Sequence, residues 1–271
     1  MKMTGVKWIA LLVAVLAIAA VEPVRAQDSE ELAKKLANPI SSLISVPLQF
    51  NYDGDIGPAD DGEKFLLNIQ PVVPLSLNET WNLISRTILP VVHQGDIFPG
   101  AGSQTGISDI VQSLFFSPKA PTRSGWVWGV GPVFLLPTGT DDLLTTDKWG
   151  AGPTGVALKQ IGPWTIGALA NHIWSFAGDD DRTDINATFL QPFVSYTTPA
   201  AWTFTAQTES TYDWEAGHWS VPLNLMATKV TKLGNQLVSV GGGARYWAAS
   251  PDNGPEGFGI RLMFTLLFPK K

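Results

Sequence analysis

The chain has no cysteine, only three histidines and only 15% charged residues. Without cysteine there is no disulfide framework and no thiolate metal site, so packing and hydrogen bonds alone must hold the fold. Beyond residue 20 no apolar run approaches the roughly 18 to 20 residues that a spanning helix needs, and helical periodicity is scarce. Cations are outnumbered, 18 Lys and Arg against 24 Asp and Glu. That balance excludes the basic footprint of a nucleic-acid binder. What the chain does have is tryptophan (11), glycine (26) and proline (20).

Lys2 and Lys7 precede and flank an apolar run from Trp8 to Ala20, and Val24-Arg25-Ala26 puts small residues where a signal peptidase reads. The expectation is a signal peptide over residues 1–26, cleaved after Ala26, and export of the rest. The apolar core is short for a membrane anchor. Of the 271 residues, 245 then remain, enough for one barrel or large sandwich. Residues 27–41 are expected to be a periplasmic lead-in carrying a short helix. Ser29 caps it, acids fill its first turn, Lys34 and Lys35 follow, and Pro39 stops it. A piece of plug in a lumen is the other reading of so short a helix.

From Ala201 to Glu215 the chain alternates. Trp202, Phe204, Ala206, Thr208, Ser210, Tyr212 and Trp214 fall on one parity; Thr203, Thr205, Gln207, Glu209, Thr211 and Asp213 fall on the other. Period two means a strand with one aromatic face and one polar face. Its length suits a tilted strand that crosses a bilayer, which takes about 9–11 residues. Such a strand needs paired neighbours on both sides, hence a closed sheet. Residues 42–271 contain twelve such segments, joined alternately by tight turns and by longer acidic loops. The fold class expected is all-β, an antiparallel transmembrane β-barrel of about twelve strands. Proline inside seven of the strands (Pro47, Pro71, Pro90, Pro132, Pro153, Pro192 and Pro222) stands against uninterrupted ladders.

Charge and tryptophan agree with that topology. The six longer connections and their strand ends hold 17 acids against Lys64, Lys148 and Arg182; the turns and termini hold nine cations against four acids. A soluble sandwich gives no reason for this segregation. Trp81, Trp126, Trp128, Trp164 and Trp202 fall at the turn ends of strands, and Trp149, Trp174, Trp214, Trp219 and Trp247 at the loop ends. Two girdles are where amphipathic rings settle at the two interfaces of a bilayer.

Five segments carry a resemblance: NPISSLISVPLQFNY from Asn38, DIFPGAGSQTG from Asp96, WGVGPVFLLPT from Trp128, ANHIW from Ala170 and SPDNGPEG from Ser250. Over nearly all the mature chain the sequence resembles a bacterial outer-membrane transporter family related to the meta-pathway phenol-degradation proteins, some of which bear the misleading label "neuromedin U". The resemblance implies an outer-membrane barrel that passes small, often aromatic or apolar, compounds. It implies no substrate site.

On the polar parities, Gln49, Asn68, Gln70, Asn82, Arg86, Asp109, Gln207, Glu209, Arg245 and Arg261 are expected to line the lumen. The three arginines would oppose Asp109 and Glu209 across a constriction, as charged rings do in channels. The bland alternative is that these groups only satisfy one another. An outer-membrane acyl hydrolase would need a serine beside a histidine. The histidines are His93, His172 and His218, with Ser108, Ser175 and Ser220 near strand ends, and no Gly-x-Ser-x-Gly elbow occurs. A structural or stress-related barrel without conduction is a further alternative. Asp179, Asp180, Asp181 and Asp184 form a weak metal candidate that lacks the glycine and closing glutamate of a calcium loop. The expected partners are the lipid bilayer, lipopolysaccharide and an unidentified small solute, with no cofactor, no nucleic acid and a monomeric state.

Overall fold

The computed structural model describes residues 26–269; the expected signal peptide, apart from Ala26, lies outside them. A helix, α1 (Ala26–Leu36), precedes fifteen strands: β1 (Ile44–Ile56), β2 (Gly62–Ile69), β3 (Val72–Ser76), β4 (Trp81–Gly95), β5 (Ser103–Ile107), β6 (Ile110–Pro118), β7 (Trp126–Leu136), β8 (Lys148–Ile161), β9 (Trp164–Gly178), β10 (Asn186–Thr197), β11 (Trp202–Thr208), β12 (Ser210–Asp213), β13 (His218–Leu233), β14 (Gln236–Ala249) and β15 (Phe258–Phe268). All pairings are antiparallel, and β1 pairs β15 from Ile44↔Phe268 to Tyr52↔Ile260, which closes the sheet. β2 with β3, β5 with β6, and β11 with β12 are each one interrupted stave. The result is a closed barrel of twelve staves, as the alternation predicts.

The interruptions have local causes. Across Gln70-Pro71 the register against β4 is unbroken, Ile69↔Leu89 on one side and Val72↔Arg86 on the other. Pro71 simply has no N–H for the ladder. At Ser108-Asp109 the partners step from Val91↔Ile107 to Ile88↔Val111, an offset of one residue. That is a bulge, and it turns even-numbered residues from inward to outward. The β11–β12 stave keeps its register against β10 (Gln207↔Phe193, Ser210↔Leu190) and against β13 (Thr208↔Leu223, Thr211↔Ser220). In its gap the Glu209 amide donates to the Pro222 carbonyl at 3.4 Å, and proline returns no donor. Pro132 and Pro153 face each other in register, so two of the missing donors share one site.

One parity of each stave is apolar and points out. Phe176 (67% exposed), Leu225 (65%) and Phe204 (50%) are typical of that surface. In water it would forfeit its hydrophobic gain; in a bilayer it is solvated. Nine of the ten mature tryptophans lie on it. The exception corrects the girdle reading. Trp247 shares the inward parity of Arg245, lies 4.6 Å beneath its guanidinium and donates Nε1–H to Asp53 at 2.8 Å.

Residues 27–41, expected as a periplasmic lead-in, lie across the interior at the turn end. Ala33, with Leu32 and Leu36, packs against Leu43, Ala201, Val230 and Leu267. Gln160 on β8 donates to the Lys34 carbonyl at 2.9 Å. Ile40 joins a buried cluster of inward side chains from the other side of the barrel: Ile84, Phe115, Val156, Leu158 and Leu169. Gly129 on β7 makes room for it, because a Cβ there would stand 3.4 Å from Ile40 Cδ1 and 3.2 Å from Phe115 Cβ. The segment leaves β1 and reaches the opposite wall.

Candidate functional site in the barrel lumen

Above this floor the inward parities bring polar side chains together. Arg261 on β15 is fully buried and spans part of the lumen to Glu209, donating Nη1–H and Nη2–H to the two carboxylate oxygens at 2.8 and 2.7 Å. This forked geometry is the strongest that a guanidinium and a carboxylate can make. Arg261 Nε also donates to Asn51 at 2.7 Å, as does Arg245 Nη1 at 3.3 Å. Arg245 Nε stands 3.1 Å from Asp53 and its Nη1 3.9 Å from Glu209. On its free side Glu209 accepts from Gln207 at 3.0 Å, and Gln207 accepts from Gln191 at 3.2 Å. A continuous polar bar thus runs from β10 to β1. Gly259 sits opposite Arg245 in register, and a Cβ there would meet Tyr52 O at 2.5 Å and Asp53 Oδ1 at 2.8 Å.

Arg86 is placed apart from the bar. It donates to Gln70 at 3.0 Å, and Gln70 donates to Gln49 at 3.3 Å. No described carboxylate lies within 4.0 Å of it. Between the floor and the bar is a cavity of about 210 Å³, lined among others by Arg86, Gln70, Glu209, Met226 and Met263.

The lumen candidates therefore divide. Gln207, Glu209, Arg245 and Arg261 make the bar, and Gln49, Gln70 and Arg86 make a second hydrogen-bonded group that lines the same cavity as Gln207 and Glu209. Asn68, level with Gln49 in register, and Asn82, opposite Ser117, keep the inward parity but take no part in the hydrogen bonds of the bar. Asp109 does not oppose the arginines. At the bulge it accepts from Gly139 N (3.1 Å), Thr145 Oγ1 (2.8 Å), Thr146 N (2.7 Å) and Thr146 Oγ1 (2.6 Å), so it pins the loop after β7. Asn51, Asp53 and Trp247 belong to the site and were not chosen from the sequence. Continuing the β1 alternation two residues beyond Asn51 would have found Asp53, and the parity of Arg245 would have found Trp247.

The four loop aspartates do not converge on a metal. Asp184 takes Lys148 at 3.1 Å and Ser175 at 3.0 Å, while Asp179 caps the amide of Asp181 at 2.9 Å. Arg182, between them, pairs with Asp147 at 2.7 Å. The Lys148 hydrogen bond, then that of Ser175, holds the Asp184 carboxyl below the usual carboxylate range. Two of the three serines of the hydrolase reading are engaged elsewhere. Ser108 donates to the Leu144 carbonyl at 2.6 Å and Ser175 to Asp184, while His93 and His172 each meet a threonine, Thr105 and Thr188, at 2.7 Å.

No protein-family model matches the chain, and no curated protein matches it. Among solved structures, the COG4313 outer membrane channel from Pseudomonas putida F1 superposes with a TM-score of 0.65 at 13% identity, over 84% of this chain and 96% of that one. Outer membrane phospholipase A from Escherichia coli superposes with a TM-score of 0.50 at 12% identity, over 92% of this chain and 99% of that one. At these identities the likeness is one of fold. The chain shares the closed antiparallel β-barrel fold of these outer-membrane proteins.

Proposed function

We propose that the protein is an outer-membrane channel for small molecules, working as a monomer surrounded by bilayer and lipopolysaccharide. The observation that carries this reading is the contrast between its two faces. An apolar exterior encloses a polar interior that still holds a cavity of about 210 Å³. A barrel needed only as a structural element would be served by a filled interior. With its floor in place the channel is closed at the turn end, so passage needs residues 27–41 to move. The methionines and Phe193 among the cavity walls suit solutes with an apolar or aromatic body. This agrees with the resemblance to the phenol-degradation transporters.

The test is reconstitution of the purified protein in planar bilayers and in liposomes. Discrete conductance steps and solute-driven liposome swelling are expected. Silence in both would overturn the channel reading. The hydrolase alternative has less support, because Ser108 and Ser175 are both bound to groups other than histidine.

A further inference from the structure

The geometry points to a binding site for a small organic carboxylate at Arg86, inside the lumen cavity; the assignment rests on the channel reading and narrows its solute. The argument begins with the pairing of charges. The cavity lining contains one cation, Arg86, and one carboxylate, Glu209. Glu209 is already saturated, with both oxygens on Arg261 and a further N–H from Gln207. Arg86 shares the cavity with Glu209, but no described carboxylate oxygen stands within 4.0 Å of its guanidinium. Its guanidinium offers five N–H donors, and among the described residues one side-chain acceptor, Gln70 Oε1, meets it.

A half-buried guanidinium left with a neutral partner is an unfinished pair, and the group that completes it is a planar, two-oxygen anion. Gln70 is held for this by its own donation to Gln49, which turns its carbonyl toward Arg86. The rest of the cavity describes the body of the guest. Val72, Phe193, Met226 and Met263 supply apolar and polarisable contacts, and Thr205 and Thr228 supply hydroxyls. At ~30 Å³ per water, 210 Å³ is the space of about seven waters. That admits a compact monocarboxylate with a short aliphatic or single-ring body.

The probe is benzoate, with benzamide as its neutral isostere, titrated calorimetrically into the detergent-solubilised protein in chloride buffer. Wild type is expected to bind benzoate saturably and benzamide at least tenfold more weakly. Arg86→Gln should lose at least tenfold in benzoate affinity while keeping the heat-modifiable gel mobility of a folded barrel. Gln70→Glu is the second variant: it hands Arg86 an internal carboxylate and should block benzoate without removing the arginine. Equal binding of benzoate and benzamide, or full benzoate affinity in either variant, would overturn the assignment. A protein that binds benzoate through Arg86 but conducts nothing would retire the channel and keep the site. One that conducts but binds no benzoate would retire the site alone.

Discussion

At the scale of the residue, alternation decides almost everything, and its consequences can be measured. Glu209 is the keystone of the lumen bar, and Glu209→Ala strands Arg261 without its carboxylate. Breaking a buried pair from one side costs about 3–5 kcal/mol. Because the Glu209 side chain is still 19% exposed, the expected loss is about 3 kcal/mol, read from urea unfolding in micelles by tryptophan fluorescence. Trp247 gives the sharpest check on which way a ring points. Trp214→Phe should remove fluorescence that brominated lipid quenches; Trp247→Phe should remove only fluorescence that the lipid leaves untouched. Asp184 supplies the pH dependence. Its carboxyl is lowered in the folded loop, chiefly by Lys148. The linkage contribution is therefore present above its unfolded value of about 3.9 and is lost as pH falls through the lower folded value. The hydrogen-exchange protection of residues 178–185, taken relative to the intrinsic rate at each pH, should fall on acidification below about pH 4, and Asp184→Asn should abolish that step.

At the scale of the element, the prolines that argue against strands from the sequence explain where the strands are interrupted. A closed barrel has no edge on which to hide a missing donor, so the ladder breaks and the register continues. Pro71 and Pro222 both lie beside such gaps, and each still accepts a hydrogen bond through its carbonyl, from Thr87 and Glu209. Pro222→Ala should create an amide at position 222 that exchanges slowly, because the Glu209 carbonyl stands ready opposite it. Fast exchange there would mean that β11 and β12 are not one stave. Asp109 shows where parity alone falls short. Its place on the polar face is legible, but the bulge beside it is not, since no residue type demands a bulge. The loop that Asp109 holds is brought in from about 30 to 37 residues away.

At the scale of the whole molecule, closure and the packing of the N-terminal segment are separate facts. Closure follows from twelve staves and the β1–β15 pairing; residues 27–41 contribute no stave and pack against inward side chains at the turn end. Deleting residues 28–41 of the mature protein should leave a barrel that still migrates faster before boiling than after. It should also raise single-channel conductance severalfold. A deletion mutant with unchanged conductance would place the constriction at the Arg261–Glu209 bar instead. The acidic loops gather at the end opposite α1, so an approaching anion meets a repulsive mouth before it meets Arg86.

The fold class, the number of staves and the face that most strand residues take were determined by sequence alone. Period two, tight turns and segregated charge are local signals, and a bilayer exterior leaves little freedom in how they are satisfied. The tertiary structure decided the rest, because the deciding neighbours are far apart along the chain. Arg261 meets Glu209 and Asn51 only when the sheet has curled and closed, and Ile40 finds Phe115 only by crossing the lumen. Arg86 meets Gln70, and Glu209 meets Arg261, only once the barrel has formed. Alternation says which face a residue takes; barrel closure says which other residues share the space inside.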